Sequence, residues 1–360
     1  MNDLVGWFQS ENTHSAPRRL TKNQNGKAAS NGATGFAQAV LGVRSNSHPP
    51  QSMKTLKPLL SVVSRPASLV FTLVLLAPST VMSVNPSPAP AYTVTLYDLP
   101  GTTGSALLGI NDSAEIVGQY TDLTSVTHGF IQTDAGVQTF DIPGSNSTSV
   151  IGINDDGDVV GTFVDADGNQ QGFSLIAGHL ELVNVPGSVS GFPRCINNHG
   201  VIAGGYIDPT GKGHGYVRRR GLYTVIDFPG AQDTDVWNIN NHGEIVGIYD
   251  LADGSTHGFI LSKGKFTTID PPGSVFTLLT RNNDHGTCIG EYGDSNGIGH
   301  GFILQRGRFI TLDGPGIETR LRGINNHGEV TGWYHVAGQH HRINHGLIAT
   351  PAESEEDGED

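Results

Sequence analysis

With 360 residues the chain has room for one large domain or two to three ordinary ones, but 49 of them are glycine and only 15% are charged. Between Gly101 and Gly346 successive glycines are never more than about a dozen residues apart, which excludes a helix-rich fold because each interior glycine costs a helix about 1 kcal/mol. The net charge of −13 is uneven: residues 1–91 hold eight Lys/Arg and two Asp/Glu, the remainder 13 against 32, so the main body repels nucleic acid and anionic membranes and neither is an expected partner.

Residues 1–52 are polar, rich in Ser, Asn and Gly and without periodicity, and are expected to be a disordered extension. A secretory signal is expected over 53–91. Lys54, Lys57 and Arg65 form its basic leader, Ser68 to Leu76 its apolar core and Ala89-Pro90-Ala91 its small-residue cleavage pattern. That core is too short to cross a hydrocarbon layer of about 30 Å, so no membrane span is expected in the mature chain. Met53 is an alternative start, with the upstream residues a mis-called extension. The expected location is extracellular or periplasmic.

From residue 92 onward a repeat dominates. Pro-Gly pairs end at Gly101, Gly144, Gly187, Gly230, Gly273 and Gly316, always 43 residues apart. An asparagine recurs at Asn111, Asn154, Asn197, Asn240, Asn283 and Asn325, and a glycine seven residues after each, from Gly118 to Gly332. His-Gly-Phe or a near copy follows, with its glycine at Gly129, Gly172, Gly215, Gly258, Gly301 and Gly346. In the fourth copy Asp235–Ile239 is an expected strand, Asn240 to Gly243 a turn, and Glu244–Tyr249, His257–Leu261 and Lys265–Asp270 three further strands. Four strands in about 43 residues is the size of one propeller blade. The expectation is an all-β, six-bladed β-propeller of four-stranded antiparallel blades over 92–350, with 351–360 an acidic disordered tail. Gly247 and its equivalents are expected where a neighbouring blade approaches closely.

The last copy ends at HGLIATP with no fourth strand after it, while YTVTLYD opens the body with Val94–Asp98 aligned to Phe266–Asp270. This suggests a Velcro-type closure in which the N-terminal strand completes the sixth blade. In an alternative phase YTVTLYD is the first strand of six complete blades.

Units such as SALLGINDSAEIVGQYTDLTSVTHGF and TRLRGINNHGEVTGWY resemble the bacterial extracellular repeat named for its His-Ala-Phe tripeptide, the HAF repeat. The tripeptide is His-Gly-Phe at His128, His257 and His300, His-Gly-Tyr at His214, His-Gly-Leu at His345 and Gln171-Gly172-Phe173 in copy two. The resemblance covers residues 92–350 and implies a bacterial extracellular or envelope protein without a defined activity.

No catalytic, ligand-binding or metal residue is assigned. The five histidines before Gly-Phe are expected to bond a neighbouring turn, although in the central channel they could form a metal or anion site. His199, His242, His285 and His327 are expected to fill exposed turns. In the last copy a two-residue insertion clusters His335, His340, His341 and His345 without matching a defined zinc spacing. The Asp-rich loops from Asp165 and Asp250 and the turn from Asn154 lack an ordered set of calcium ligands. No cofactor is expected, with calcium and zinc the two metals these residue types admit. Arg218-Arg219-Arg220 is expected in a solvated hairpin, and Cys195 and Cys288, at different repeat positions, form no disulfide framework. The variable segments after each Pro-Gly should gather at one end and hold any site. The expected function is a monomeric, non-enzymatic binding module for an unknown extracellular glycan, peptide or protein. The alternatives are a metal-assisted hydrolase or lactonase-like enzyme with a channel site, and a structural envelope protein.

Overall fold

The computed structural model describes residues 92–338 and 343–352. The expected extension and signal segment, and 353–360 of the acidic tail, lie outside the described residues. Every described regular element is a strand, and no helix occurs among the described residues. In the fourth copy the strands run Asp233–Ile239, Ile245–Asp250, Thr256–Ser262 and Lys265–Ile269, within two residues of the expected limits. Local chemistry sets these limits: Asn240 closes the first turn through the Gly243 N–H, at 3.1 Å, and Gly243 takes the positive φ of 81° that the turn needs.

The first four copies each form a separate four-stranded antiparallel sheet with strands in chain order. Copies five and six share one eight-stranded sheet, joined by a single parallel pairing of Gly299 with Glu318. The merger departs from the expected separate, purely antiparallel sheets. Gly299 permits it: a Cβ there would lie 3.0 Å from Glu318 Cγ. Strand Tyr92–Tyr97 pairs antiparallel with His345–Pro351, from Tyr92 opposite Pro351 to Tyr97 opposite Gly346.

The first strand of each copy carries a bulge at one fixed place. Leu108, Ile151, Arg194, Trp237, Thr280 and Arg322 are skipped in the pairing with the second strand. A skipped residue loses its ladder partner and its side chain is re-aimed. Directly opposite the bulge stands the repeat glycine. At Gly247 a Cβ would collide with the Asp235 carbonyl and the Phe259 ring. Both belong to Gly247's own sheet, which corrects the expectation that a neighbouring blade approaches here. The bulged strand bends over the second strand and leaves no room for a side chain.

The contact with the next copy falls at a different glycine, the one in His-Gly-Phe. A Cβ at Gly258 would meet Leu279, at Gly215 Val236, and at Gly346 Leu107. The core lies between sheets for this reason, with Phe130, Phe173, Tyr216, Phe259 and Phe302 at 0% exposure. First strands of successive copies touch in a cycle that returns from Glu318–Ile324 to Gly104–Ile110. The fourth strands, such as Gly136–Phe140 and His179–Leu182, lie outermost and are mostly exposed.

Candidate functional site

Six asparagine turns close one end of the axis. Within each turn the side-chain oxygen accepts main-chain N–H groups two and four residues on, as Asn240 does from His242 at 3.1 Å and Glu244 at 2.9 Å. That leaves the amide N–H2 free to reach outward. Asn111 donates to the main-chain oxygen of Asn154, Asn154 to Asn197, Asn197 to Asn240, Asn240 to Asn283, Asn283 to Asn325, and Asn325 back to Asn111, at 3.0–3.2 Å. The next residues form a second cycle. The main-chain N–H groups of Asp112, Asp155, Asn198, Asn241, Asp284 and Asn326 each donate to the side-chain oxygen of the following member, at 2.7–3.1 Å.

Inside this annulus lies a small vestibule of about 90 Å³, lined by the asparagine turns, Gly109, Gly152, Gly323, Cys195, Asn238 and Arg281. Arg281 forms its floor. Its Nη1 donates to the carbonyls of Trp237 at 2.8 Å and Thr280 at 3.0 Å, and its Nη2 to those of Arg194 at 3.0 Å and Ile151 at 3.4 Å. All four carbonyls belong to bulge residues, from four different copies.

The bulge also sends side chains to the axis. Arg194 lies 4.0 Å from the centre of the Trp237 ring, and Arg322 lies 5.1 Å from the same ring and 5.9 Å from Trp333. Arg320 lies 4.7 Å from Trp333, so the five side chains alternate as an arginine–tryptophan ladder. Carboxylates run alongside: Asp235 with Arg194 at 2.9 Å, Glu291 with Arg322 at 3.1 Å and Glu318 with Arg320 at 2.8 Å. His335, 4% exposed, joins Glu318 at 3.1 Å to the Asn344 side chain at 2.9 Å. The Asn344 carbonyl in turn accepts from Ser105 N–H at 2.8 Å, spanning the last and first copies.

The histidines before Gly-Phe sit elsewhere. His128 bonds Asp141 at 2.7 Å, His214 Asp227 at 2.9 Å, His257 Asp270 at 2.9 Å, His300 Asp313 at 2.8 Å and His345 Asp98 at 2.9 Å. Each stacks on a tyrosine, Tyr120, Tyr206, Tyr249, Tyr292 or Tyr334, with ring centres 5.0–5.3 Å apart. Their first partner is the aspartate just after the fourth strand. Four also face a neighbouring turn as expected: His214 with Asp208 at 3.4 Å, His257 with Ser255 at 3.0 Å, and His128 and His300 with Asp122 and Asp294 at 3.5 and 3.7 Å. Copy two replaces the pair by Asn184 and Gln171 at 2.8 Å. Burial works against the charge on His128, but hydrogen bonds and charges from Asp141 and Asp122 outweigh it and raise its pKa. His199, His242, His285 and His327 lie exposed in the asparagine turns, as expected.

The Asp-rich loops spend their carboxylates on their own main chain. Asp165 accepts N–H groups of Asp167 and Asn169 at 3.0 and 2.8 Å, and Asp122 those of Thr124 and Val126 at 2.8 Å. The N–H of Val126 and then the Thr124 hydroxyl hold the Asp122 carboxyl down at about 2. Among the described residues no group of three or more His, Cys, Asp and Glu could hold a metal ion. Of the expected cluster, His340 and His341 lie outside the described residues, while His335 bonds Glu318 and Asn344 and His345 bonds Asp98. Cys195 and Cys288 are free and buried, and burial pushes the Cys288 thiol up to about 12. In the basic hairpin Arg218 pairs with Glu181 at 3.0 Å.

The axial residues went unassigned in the sequence, yet a signal exists. At the bulge position the copies read Leu, Ile, Arg, Trp, Thr and Arg, and two residues earlier Ala, Ser, Phe, Asp, Leu and Arg. Charge and aromaticity break the repeat only from the third copy on, inside strands and not in loops.

These pairings define an all-β protein of repeated four-stranded antiparallel sheets set around an axis, the architecture of a β-propeller. No family model matches the chain, and no curated protein matches it. Among solved structures it is similar to TolB from Acinetobacter baumannii (14% identity, TM-score 0.48), matching 60% of this chain and 56% of that one. It is also similar to the SapL1 lectin in complex with alpha methyl fucoside (9%, TM-score 0.44, 64% and 88%). A third is the propeller domain of the Trilobed protease from Pyrococcus furiosus (8%, TM-score 0.42, 69% and 94%). The chain thus spans little more than half the length of the TolB it matches. All three TM-scores fall below 0.5, and the architecture stated here rests on the chain's own pairings.

Two outcomes follow from this geometry. Asn240→Ala should cost about 1–3 kcal/mol in urea unfolding, because the Asn283 carbonyl and the turn N–H groups lose a buried partner. Asn240→Asp keeps the turn acceptor but sets a carboxylate against that carbonyl, so its loss should shrink at acid pH, where the protonated acid donates. For Asp122, a folded pKa of about 2 lies below the ordinary unfolded value of about 3.9. Its stabilisation is therefore present above pH ~4 and lost as pH falls toward ~2. Midpoints measured across that window should flatten in Asp122→Asn, whose amide oxygen keeps the turn.

Proposed function

We propose that the chain is a secreted, monomeric, six-bladed propeller of the HAF-repeat kind, closed by its N-terminal strand. It acts as a non-enzymatic module that holds an extracellular glycan, peptide or protein. Closure is supported by the Asn325–Asn111 bond that completes the amide cycle and by the His345–Asp98 pair, which reproduces across the two termini what other copies make internally.

The observation that carries the binding role is the filled axis. Arg281 and the arginine–tryptophan ladder leave a vestibule of about 90 Å³, against ~300–1,000 Å³ for sites that hold a small organic ligand. The axial carboxylates Asp235, Glu291 and Glu318 are spent on Arg194, Arg322 and Arg320, which weighs against metal-assisted hydrolysis in the channel. Recognition then falls to the opposite end, where the Pro-Gly and Asp-rich loops meet. That face varies from copy to copy and exposes Leu123, Val189, Val275 and Ile317 at 77, 70, 57 and 55%. Three of these, Val189, Val275 and Ile317, share one repeat position.

Glycan and peptide arrays probed with mature protein test this role. Binding should persist in EDTA and vanish in Val189→Asp/Val275→Asp without a change in melting temperature; metal-dependent turnover of an ester or lactone would replace the binding role with the enzymatic one. Deleting residues 92–98 should lower the melting temperature by at least ~5 °C, and an unchanged value would remove closure by that strand.

A further inference from the structure

We infer that the ring of bulge carbonyls at the axis is a cation-binding cage, and that this chain fills the cage with its own Arg281 guanidinium. The cage follows from the repeat. Each bulge releases one residue from the ladder, and the next copy's released carbonyl comes to lie over the glycine after the bulge. A Cβ on Gly109 would stand 3.1 Å from the Ile151 oxygen, and one on Gly152 3.0 Å from the Arg194 oxygen. Repeated around an axis, this brings carbonyl oxygens together from successive copies, each a partial negative charge that needs a donor once buried.

Arg281 supplies the donors. It occupies the position that three copies give to glycine, Gly109, Gly152 and Gly323, and two to Cys195 and Asn238. From that single position its two terminal nitrogens reach four bulge carbonyls in copies two to five. A planar guanidinium fits because its N–H groups radiate in one plane. The neighbouring glycines leave space for one long side chain to cross the axis, and a second would collide with it. The vestibule above the cage opens through the asparagine annulus, where Asp112, Asp155 and Asp284 favour the entry of a small cation. The ligand class is thus a small planar organic cation held by main-chain carbonyls.

Replacing Arg281 empties the cage and offers it to a free cation. The probe is methylguanidinium chloride at millimolar concentration, with urea as the uncharged control of similar shape. Arg281→Gly should melt ~4 °C or more below the parent chain. Methylguanidinium should recover at least half of that fall, bind once per chain by calorimetry and leave the parent chain unchanged, while urea recovers nothing. An Arg281→Gly protein that melts alike with and without methylguanidinium overturns the proposal, as does an Arg281→Met protein that melts with the parent. Should Arg281→Gly fail to fold, Arg281→Lys decides: a cation cage preserves the lysine variant over Arg281→Met, and equal loss in both overturns it.

Discussion

Six asparagine amides, each bonded to the main chain of the next repeat, are the interaction on which the rest of this structure depends. No copy can bury its own core, because the fully buried Phe130, Phe173, Tyr216, Phe259 and Phe302 need a neighbouring sheet over them. Hydrophobic contact alone would let sheets slide along one another. The amide bond removes that freedom, since it joins the same residue of each copy to the same residue of the next. Each bond contributes only about 1 kcal/mol net, whereas leaving its buried partner unmet costs about 1–3 kcal/mol, so specification of height outweighs raw stabilisation. With the turns level, the bulges three residues earlier are level too, and their carbonyls and side chains meet at the axis.

Much of this was legible in the repeat. A side chain that must accept twice within its own turn and donate once beyond it can be asparagine and little else, so the I-N-x-x-G spacing marked both the turn and, unrecognised, the inter-repeat bond. Val94–Asp98 aligns in sequence with Phe266–Asp270, and Tyr92–Tyr97 pairs antiparallel with His345–Pro351. The bulge was not legible. It inserts one residue into a strand, so Arg194, Trp237 and Arg322 sit out of the alternating pattern by which an inward side chain is recognised. The aspartate that holds each histidine also escaped notice, because it follows a different strand, 13 residues on in four copies and 247 residues back for His345.

Three of the four axial arginines are paired with carboxylates, so the axis is close to balanced in charge while the chain as a whole is acidic. Arg194, Arg281, Arg320 and Arg322 are four of the 13 Lys/Arg in residues 92–360, a segment with 32 Asp/Glu. The carboxylates paired with them are inside as well, so the surface keeps nearly the whole acidic excess of the composition. The surface thus combines a negative field with exposed aliphatic side chains, a combination that favours neutral and basic molecules over anionic ones.

The ladder also addresses a hazard of building from near-identical units. Copies that share one hydrophobic grammar can pair out of order, within a chain or between chains, at little loss of apolar burial. The axial charges are not interchangeable in that way. Arg194 of copy three meets Asp235 of copy four, and Glu291 of copy five meets Arg322 of copy six. An exchange that parts copy three from copy four, or copy five from copy six, separates a buried charge from its partner, and breaking such a pair typically costs about 3–5 kcal/mol. The departures from symmetry thus tie copy three to copy four and copy five to copy six, and the asparagine ring holds the copies level.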